Sequence, residues 1–120
     1  MGNAFGYVQL ATSDLARAQE FYGELFDWRL EQTGSDDRPY LEIRVGEGVA
    51  GGIMPQAPHA PSAWVPYVQV ADVAAVTEQA RGLGATVAVG PLQLPDESWY
   101  SVLVDPTGAA FALHGPFPAA

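Results

Sequence analysis

Two stretches of the chain alternate apolar and polar positions in nearly the same letters. Tyr7 to Ala11 reads Tyr-Val-Gln-Leu-Ala, and Tyr67 to Ala71, sixty positions later, reads Tyr-Val-Gln-Val-Ala. Period-two alternation marks a strand with one packed face. After each strand the period becomes helical. Thr12-Ser13-Asp14 offers capping side chains ahead of Leu15, Ala18, Phe21, Tyr22, Leu25 and Phe26, a pattern that ends near Asp27. In the second copy Asp72 precedes Val73, Val76, Ala80 and Leu83, with Gly84 placed to close the helix. Strand-like segments follow at about Trp28–Thr33, Tyr40–Val45 and Val49–Met54, and again at Thr86–Leu94, Trp99–Val104 and Ala110–His114. Gly46-Glu47-Gly48 and Asp105-Pro106-Thr107-Gly108 supply tight-turn chemistry between strands. The order is βαβββ twice, with modules at about 4–54 and 64–116 and a Pro-rich linker at 55–63. Pro55, Pro58 and Pro61 keep regular structure out of that linker. Each module has one helix for its strands and needs the other to complete burial, so the expectation is a single domain.

Composition narrows the class. At 120 residues, with 48% apolar side chains, the chain is long enough for one packed core. Fourteen acidic against five basic residues give a formal charge of −9, which argues against nucleic acid as a partner because phosphate binding depends on Lys and Arg. There is no apolar run of about 20 residues and no basic, then hydrophobic, leader, so the expectation is a soluble cytoplasmic protein without a membrane partner. The absence of Cys excludes disulfides, a thiol nucleophile and thiolate metal sites.

Asp14-Leu15 followed by Phe21-Tyr22, with Gly23 and Leu25 beyond, and Asp105-Pro106-Thr107-Gly108 before the last strand are the most specific features. In these and in its paired βαβββ order, the chain resembles the vicinal oxygen chelate superfamily of glyoxalase I, extradiol dioxygenases and bleomycin-resistance proteins. The resemblance implies an α+β fold in which two βαβββ modules form a curved mixed sheet with a concave cleft. It also makes the Phe-Tyr pair helix core and Asp-Pro-Thr-Gly a turn. Metal-dependent members draw four ligands, usually His and Glu, from the first and last strand of each module. Carried over, those positions are Tyr7, about Gly52, Tyr67 (or Val65 if the register differs by two) and Ala112. Gly, Ala and Val have no donor atom and neutral Tyr is a poor one, so neither metal nor other cofactor is expected.

Alternation sorts the remaining candidates. Val8, Leu10, Val68, Val70, Leu41, Ile43 and Val45 should face the helices. Tyr7, Gln9, Tyr40, Glu42, Arg44, Tyr67 and Gln69 should then face the cleft, joined by Trp99, Ser101 and Leu103 on the seventh strand and by Met54, Ala112 and His114. The ligand-binding set is therefore Tyr7, Gln9, Glu42, Arg44, Tyr67, Gln69, Trp99, Ser101 and His114, suited to a small organic molecule. The same aromatics could instead fill space, Gln9 and Gln69 could bond one another, and Glu42 with Arg44 could be a surface ion pair. His114 is either a candidate general base or a rim residue without an orienting carboxylate, while His59 lies in the linker. Three functions stay open. The first is a metal-independent small-molecule binder, such as one that sequesters a cationic drug. The second is a lyase or dioxygenase with an altered metal site, for instance His114, Glu42 and Tyr7. The third is an interaction module without a small ligand. Open sheet edges favour a homodimer in each case.

Overall fold

The computed structural model describes residues 2–37, 39–56, 61–94 and 97–116. Eight strands and two helices run along these residues in the order βαβββ, twice over. The fold is α+β. In the first module β1 (Phe5–Thr12), β2 (Arg29–Gln32), β3 (Leu41–Val45) and β4 (Gly48–Pro55) accompany α1 (Leu15–Leu25). In the second β5 (Ala63–Gln69), β6 (Thr86–Gln93), β7 (Trp99–Val104) and β8 (Ala110–Gly115) accompany α2 (Val73–Gly82). The linker is shorter than its prolines suggest: β4 runs through Pro55 and β5 begins at Ala63. His59 lies outside the described residues.

The chain forms two compact units, Tyr7–Val65 and Met1–Gly6 with Pro66–Ala120. The N-terminal residues thus belong with the second module, where the Gln69 N–H donates to the Ala4 carbonyl at 2.8 Å and Asn3 Nδ2 to the Gln69 carbonyl at 3.0 Å. Strand order in the first unit is β2-β3-β4-β1, with β1 and β4 parallel and the remaining pairs antiparallel. In the second it is β5-β8-β7-β6, with β5 and β8 parallel.

Both helices start as the capping residues dictate. Asp14 accepts from the Arg17 N–H at 3.0 Å, and Asp72 from the Ala75 N–H at 2.9 Å. These caps satisfy amides that have no partner inside the helix. α2 ends where Gly84 adopts φ +105°, a backbone that L side chains rarely adopt. The first core gathers Leu10, Leu41, Ile43 and Ile53 beneath Leu15, Ala18 and Tyr22 of α1. The second gathers Val70, Val73, Leu103 and Leu113 with Val76 and Ala80 of α2. The expected helix-core role of the Phe-Tyr pair is only half met: Tyr22 packs inward, whereas Phe21 is 58% exposed.

Candidate functional site

In the first module the sheet face away from α1 carries a chain of polar side chains. The Tyr7 and Tyr40 hydroxyls bond each other, and the Tyr40 hydroxyl donates to Gln9 Oε1 at 3.3 Å. Gln9 Nε2 in turn donates to Met54 Sδ at 2.7 Å. Gly52 makes this packing possible, since a Cβ there would run into the hydroxyls of both Tyr40 and Tyr7. On the neighbouring strands Arg44 reaches Glu31 at 2.7 Å and Glu42 at 3.0 Å. Glu31 and Glu42 face each other across β2 and β3, so the guanidinium offsets a like-charge pair. All three side chains keep about a third to a half of their surface, and solvent screening makes this a modest contribution.

In the second module the corresponding face joins Gln69, His114 and Ser98. Gln69 Oε1 lies 3.1 Å from His114 Nδ1, and Ser98 Oγ lies 3.0 Å from His114 Nε2. Tyr67 is buried, with its ring centroid 6.4 Å from that of Tyr100. Tyr100 pairs with His114, and Val102 with Ala112, across β7 and β8. These residues therefore share the face away from α2.

That register corrects the sequence reading of the seventh strand. Trp99, Ser101 and Leu103 point toward α2, not away from it. Leu103 is fully buried, Trp99 packs on the same core, and the Ser101 hydroxyl meets that of Thr77 on α2 at 2.9 Å. Ser101 looked like a polar lining residue, but its hydroxyl has a buried partner, which makes burial tolerable. Trp99 and Ser101 thus leave the lining set, and Tyr100 and Ser98 enter it. Tyr100 stands sixty positions after Tyr40, as β7 does after β3, and that offset was the available signal. Ser98 precedes β7 in a loop and carried none.

The repeated pentapeptide is itself out of register. Gln9 pairs with Gly52, whereas Tyr67 pairs with Ala112, so the counterpart of Gln9 is Tyr67 and that of Tyr7 is Val65. The four carried-over metal positions are then Tyr7, Gly52, Val65 and Ala112. They do not fit a metal ion. Tyrosine hydroxyls fill the space where a side chain at Gly52 would stand, and Ala112 is fully buried without a donor. Among the described residues no three His, Asp or Glu side chains cluster as metal ligands.

A separate cavity of about 530 Å³ lies on the helix side of the first module. Its walls are Tyr22, Phe26, Trp28 and Trp64, and its floor includes Ala50 and Gly51. Trp64 stands nearly perpendicular to the Tyr22 ring at 5.4 Å, and its Nε1–H donates to the Tyr22 hydroxyl at 3.3 Å.

Residues 7–114 match the model of the glyoxalase-like domain. The chain is 34% identical over 119 residues to CFP32 of Mycobacterium bovis, a protein whose name assigns it provisionally to the glyoxylases. The same holds for CFP32 of Mycobacterium tuberculosis. The alignment covers 89% of this chain but only 43% of that relative, so the chain spans less than half its length. Among solved structures, hypothetical protein BH1468 of Bacillus halodurans superimposes with a TM-score of 0.70 at 10% identity, over 100% of this chain and 99% of that one. Methylmalonyl-CoA epimerase of Mycobacterium tuberculosis gives 0.63 at 20% identity, over 95% and 88%. The Streptomyces coelicolor epimerase bound to 2-nitronate-propionyl-CoA gives 0.66 at 15%, over 93% and 96%. At these identities the structures share the fold. No described helix is long and apolar enough to cross a membrane.

Proposed function

The chain belongs to the glyoxalase-like domain family of the vicinal oxygen chelate superfamily, and we propose that it binds a small organic molecule there without a metal ion. The observation that carries this reading is Gly52, whose missing side chain leaves room for the Tyr7 and Tyr40 hydroxyls where a ligating carboxylate would have to stand. The faces that carry Tyr7, Gln9 and Tyr40 in one module and Gln69 and His114 in the other supply hydrogen-bonding groups set among aromatic rings. Either face by itself offers groups that can orient an organic ligand without ionic chemistry. The similarly folded epimerase structure bound to 2-nitronate-propionyl-CoA supports a small organic ligand for this scaffold. The same proposal covers a homodimer in the cytoplasm with no nucleic-acid partner, in keeping with the −9 charge.

Metal analysis tests it first. Protein purified without chelator should carry sub-stoichiometric Zn, Ni, Mn and Fe, and its thermal midpoint should not rise when these ions are added. A stoichiometric ion, or activity recovered with one, overturns metal independence. A thermal-shift screen of organic compounds tests the location. Stabilisation should be lost in Gln9→Ala or Gln69→Ala, and stabilisation that persists in both variants places the ligand elsewhere.

A further inference from the structure

The geometry points to Ser98 as a nucleophile, activated by His114 and oriented through Gln69, that would take an acyl or phosphoryl group from an activated ester. With Gln69 Oε1, an acceptor, 3.1 Å from His114 Nδ1, the arrangement favours the neutral imidazole that carries its hydrogen on Nδ1. Nε2 then presents its lone pair to the Ser98 hydroxyl at 3.0 Å. This is the order of groups in a serine, histidine and acid triad, with a carboxamide in the third place. His114 and Ser98 are both half-buried, so the hydroxyl stays within reach of a reagent.

The backbone shows how Ser98 is placed. Glu97, directly before Ser98, has φ +72° and is the one non-glycine residue with positive φ among the described residues. The Leu94 N–H donates to the Ser98 carbonyl at 2.7 Å and the Glu97 N–H to the Leu94 carbonyl at 3.0 Å. Glu97 thus takes the usual left-handed position of a short hairpin loop, and it sets the backbone from which the Ser98 hydroxyl reaches His114.

In the step itself the Ser98 Oγ–H proton passes to His114 Nε2 as the Oγ–acyl bond forms. The bond to the leaving alkoxide or thiolate breaks, and that group takes the proton from Nε2. Water then attacks the acyl carbon, gives a proton to Nε2, and Ser98 Oγ departs and is reprotonated. Gln69 holds the tautomer but carries no charge to stabilise the imidazolium, so the reaction is slow. Gln69 is a positioning residue in this scheme.

The inference rests on reading this face as open to small molecules, and the probe keeps the two readings apart because it requires no natural ligand. Diisopropyl fluorophosphate should label the protein once, at Ser98, with fluoride leaving as the Oγ–phosphorus bond forms. Ser98→Ala should abolish labelling, and His114→Ala should slow it by about 100-fold or more. Gln69→Glu, which adds the missing charge, should accelerate it by about tenfold. Circular dichroism checks that each variant is folded. Three results overturn the proposal: folded protein that does not label, label on another residue, or an undiminished rate in His114→Ala. An unchanged or slower rate in Gln69→Glu overturns the role given to Gln69. None of these results bears on metal content or thermal shifts, which test the binding reading.

Discussion

α1 and α2 follow the same strand in their modules and are capped by the same residue type, yet they bury very differently. α2 sinks Val73 and Thr77 almost completely into its core, whereas no residue of α1 is buried to that degree. Side-chain size explains the difference. α2 approaches its strands on Val, Thr and Ala, and its Thr77 hydroxyl reaches Ser101 on β7. α1 rests on Tyr22, which stacks with Trp28 at 5.9 Å and Phe26 at 6.3 Å. Rings of that size hold the helix off the small floor residues Ala50 and Gly51 and leave a groove beside them. A shared cap therefore fixes where a helix begins, but the girth of its inner face decides how closely it packs.

The sharpest test of this contrast removes one large apolar side chain from each module. Leu103→Ala empties a fully buried site and should cost about 2–5 kcal/mol in urea unfolding. Phe21→Ala, on the outer face of α1, should cost less than about 1 kcal/mol. Equal costs would show that the outer face of α1 contributes as much to stability as the buried core of the second module. The next test exchanges the small residues of β4 and β8. Gly52→Ala forces a methyl against two hydroxyls and should cost about 1–3 kcal/mol, whereas Ala112→Gly should cost about 1 kcal/mol. At the caps the modules should agree. Asp14→Ala and Asp72→Ala should each lower stability by about 1 kcal/mol, and a marked difference would mean that cap energy depends on how deeply the helix is buried.

The smallest effect separates the two turns. The Thr107 hydroxyl and the Ala109 and Thr107 amides all donate to Asp105 and hold its carboxyl below the usual range. A lowered folded pKa contributes stability above the unfolded value near 4, and that contribution disappears as pH falls through the lower folded value. The thermal midpoint of Asp105→Asn should thus lie below that of the native chain at pH 7, and the gap should close in acid. The Gly46-Glu47-Gly48 turn of the first module has no such clamp among its described hydrogen bonds.

Element boundaries were legible because caps and turns are local: Asp14, Asp72, Gly84 and Asp105 each act within a few residues of themselves. Register was harder. The pentapeptide repeat suggests a sixty-residue offset throughout, and β3 with β7 and β4 with β8 obey it. β1 and β5 differ from it by two, matching the spacing between Asp14 and Asp72. Strand partners fix register, and the letters Tyr-Val-Gln fit either choice because both place Tyr and Gln on the same face. Tyr7, Gln9, Glu42, Arg44, Gln69 and His114 could be assigned to the sheet face away from the helices because apolar neighbours alternate with them. Trp99-Tyr100-Ser101-Val102-Leu103-Val104 has no such contrast, and the one small hydroxyl in it misled. Ser98 was invisible because its partner lies on another strand and nothing local announces the contact.

The tyrosine hydroxyls packed against Gly52 also constrain the routes by which this chain could change. A carboxylate introduced at position 52 alone would meet Tyr7 and Tyr40 before it met any ion. Clearing either tyrosine alone would leave an unfilled space and take a hydrogen-bond partner from the other. A larger side chain at position 52 would therefore need Tyr7 and Tyr40 to give way as well, and each change made alone is expected to lower stability. The order in which substitutions arrive therefore matters here, and the present arrangement is easier to keep than to leave.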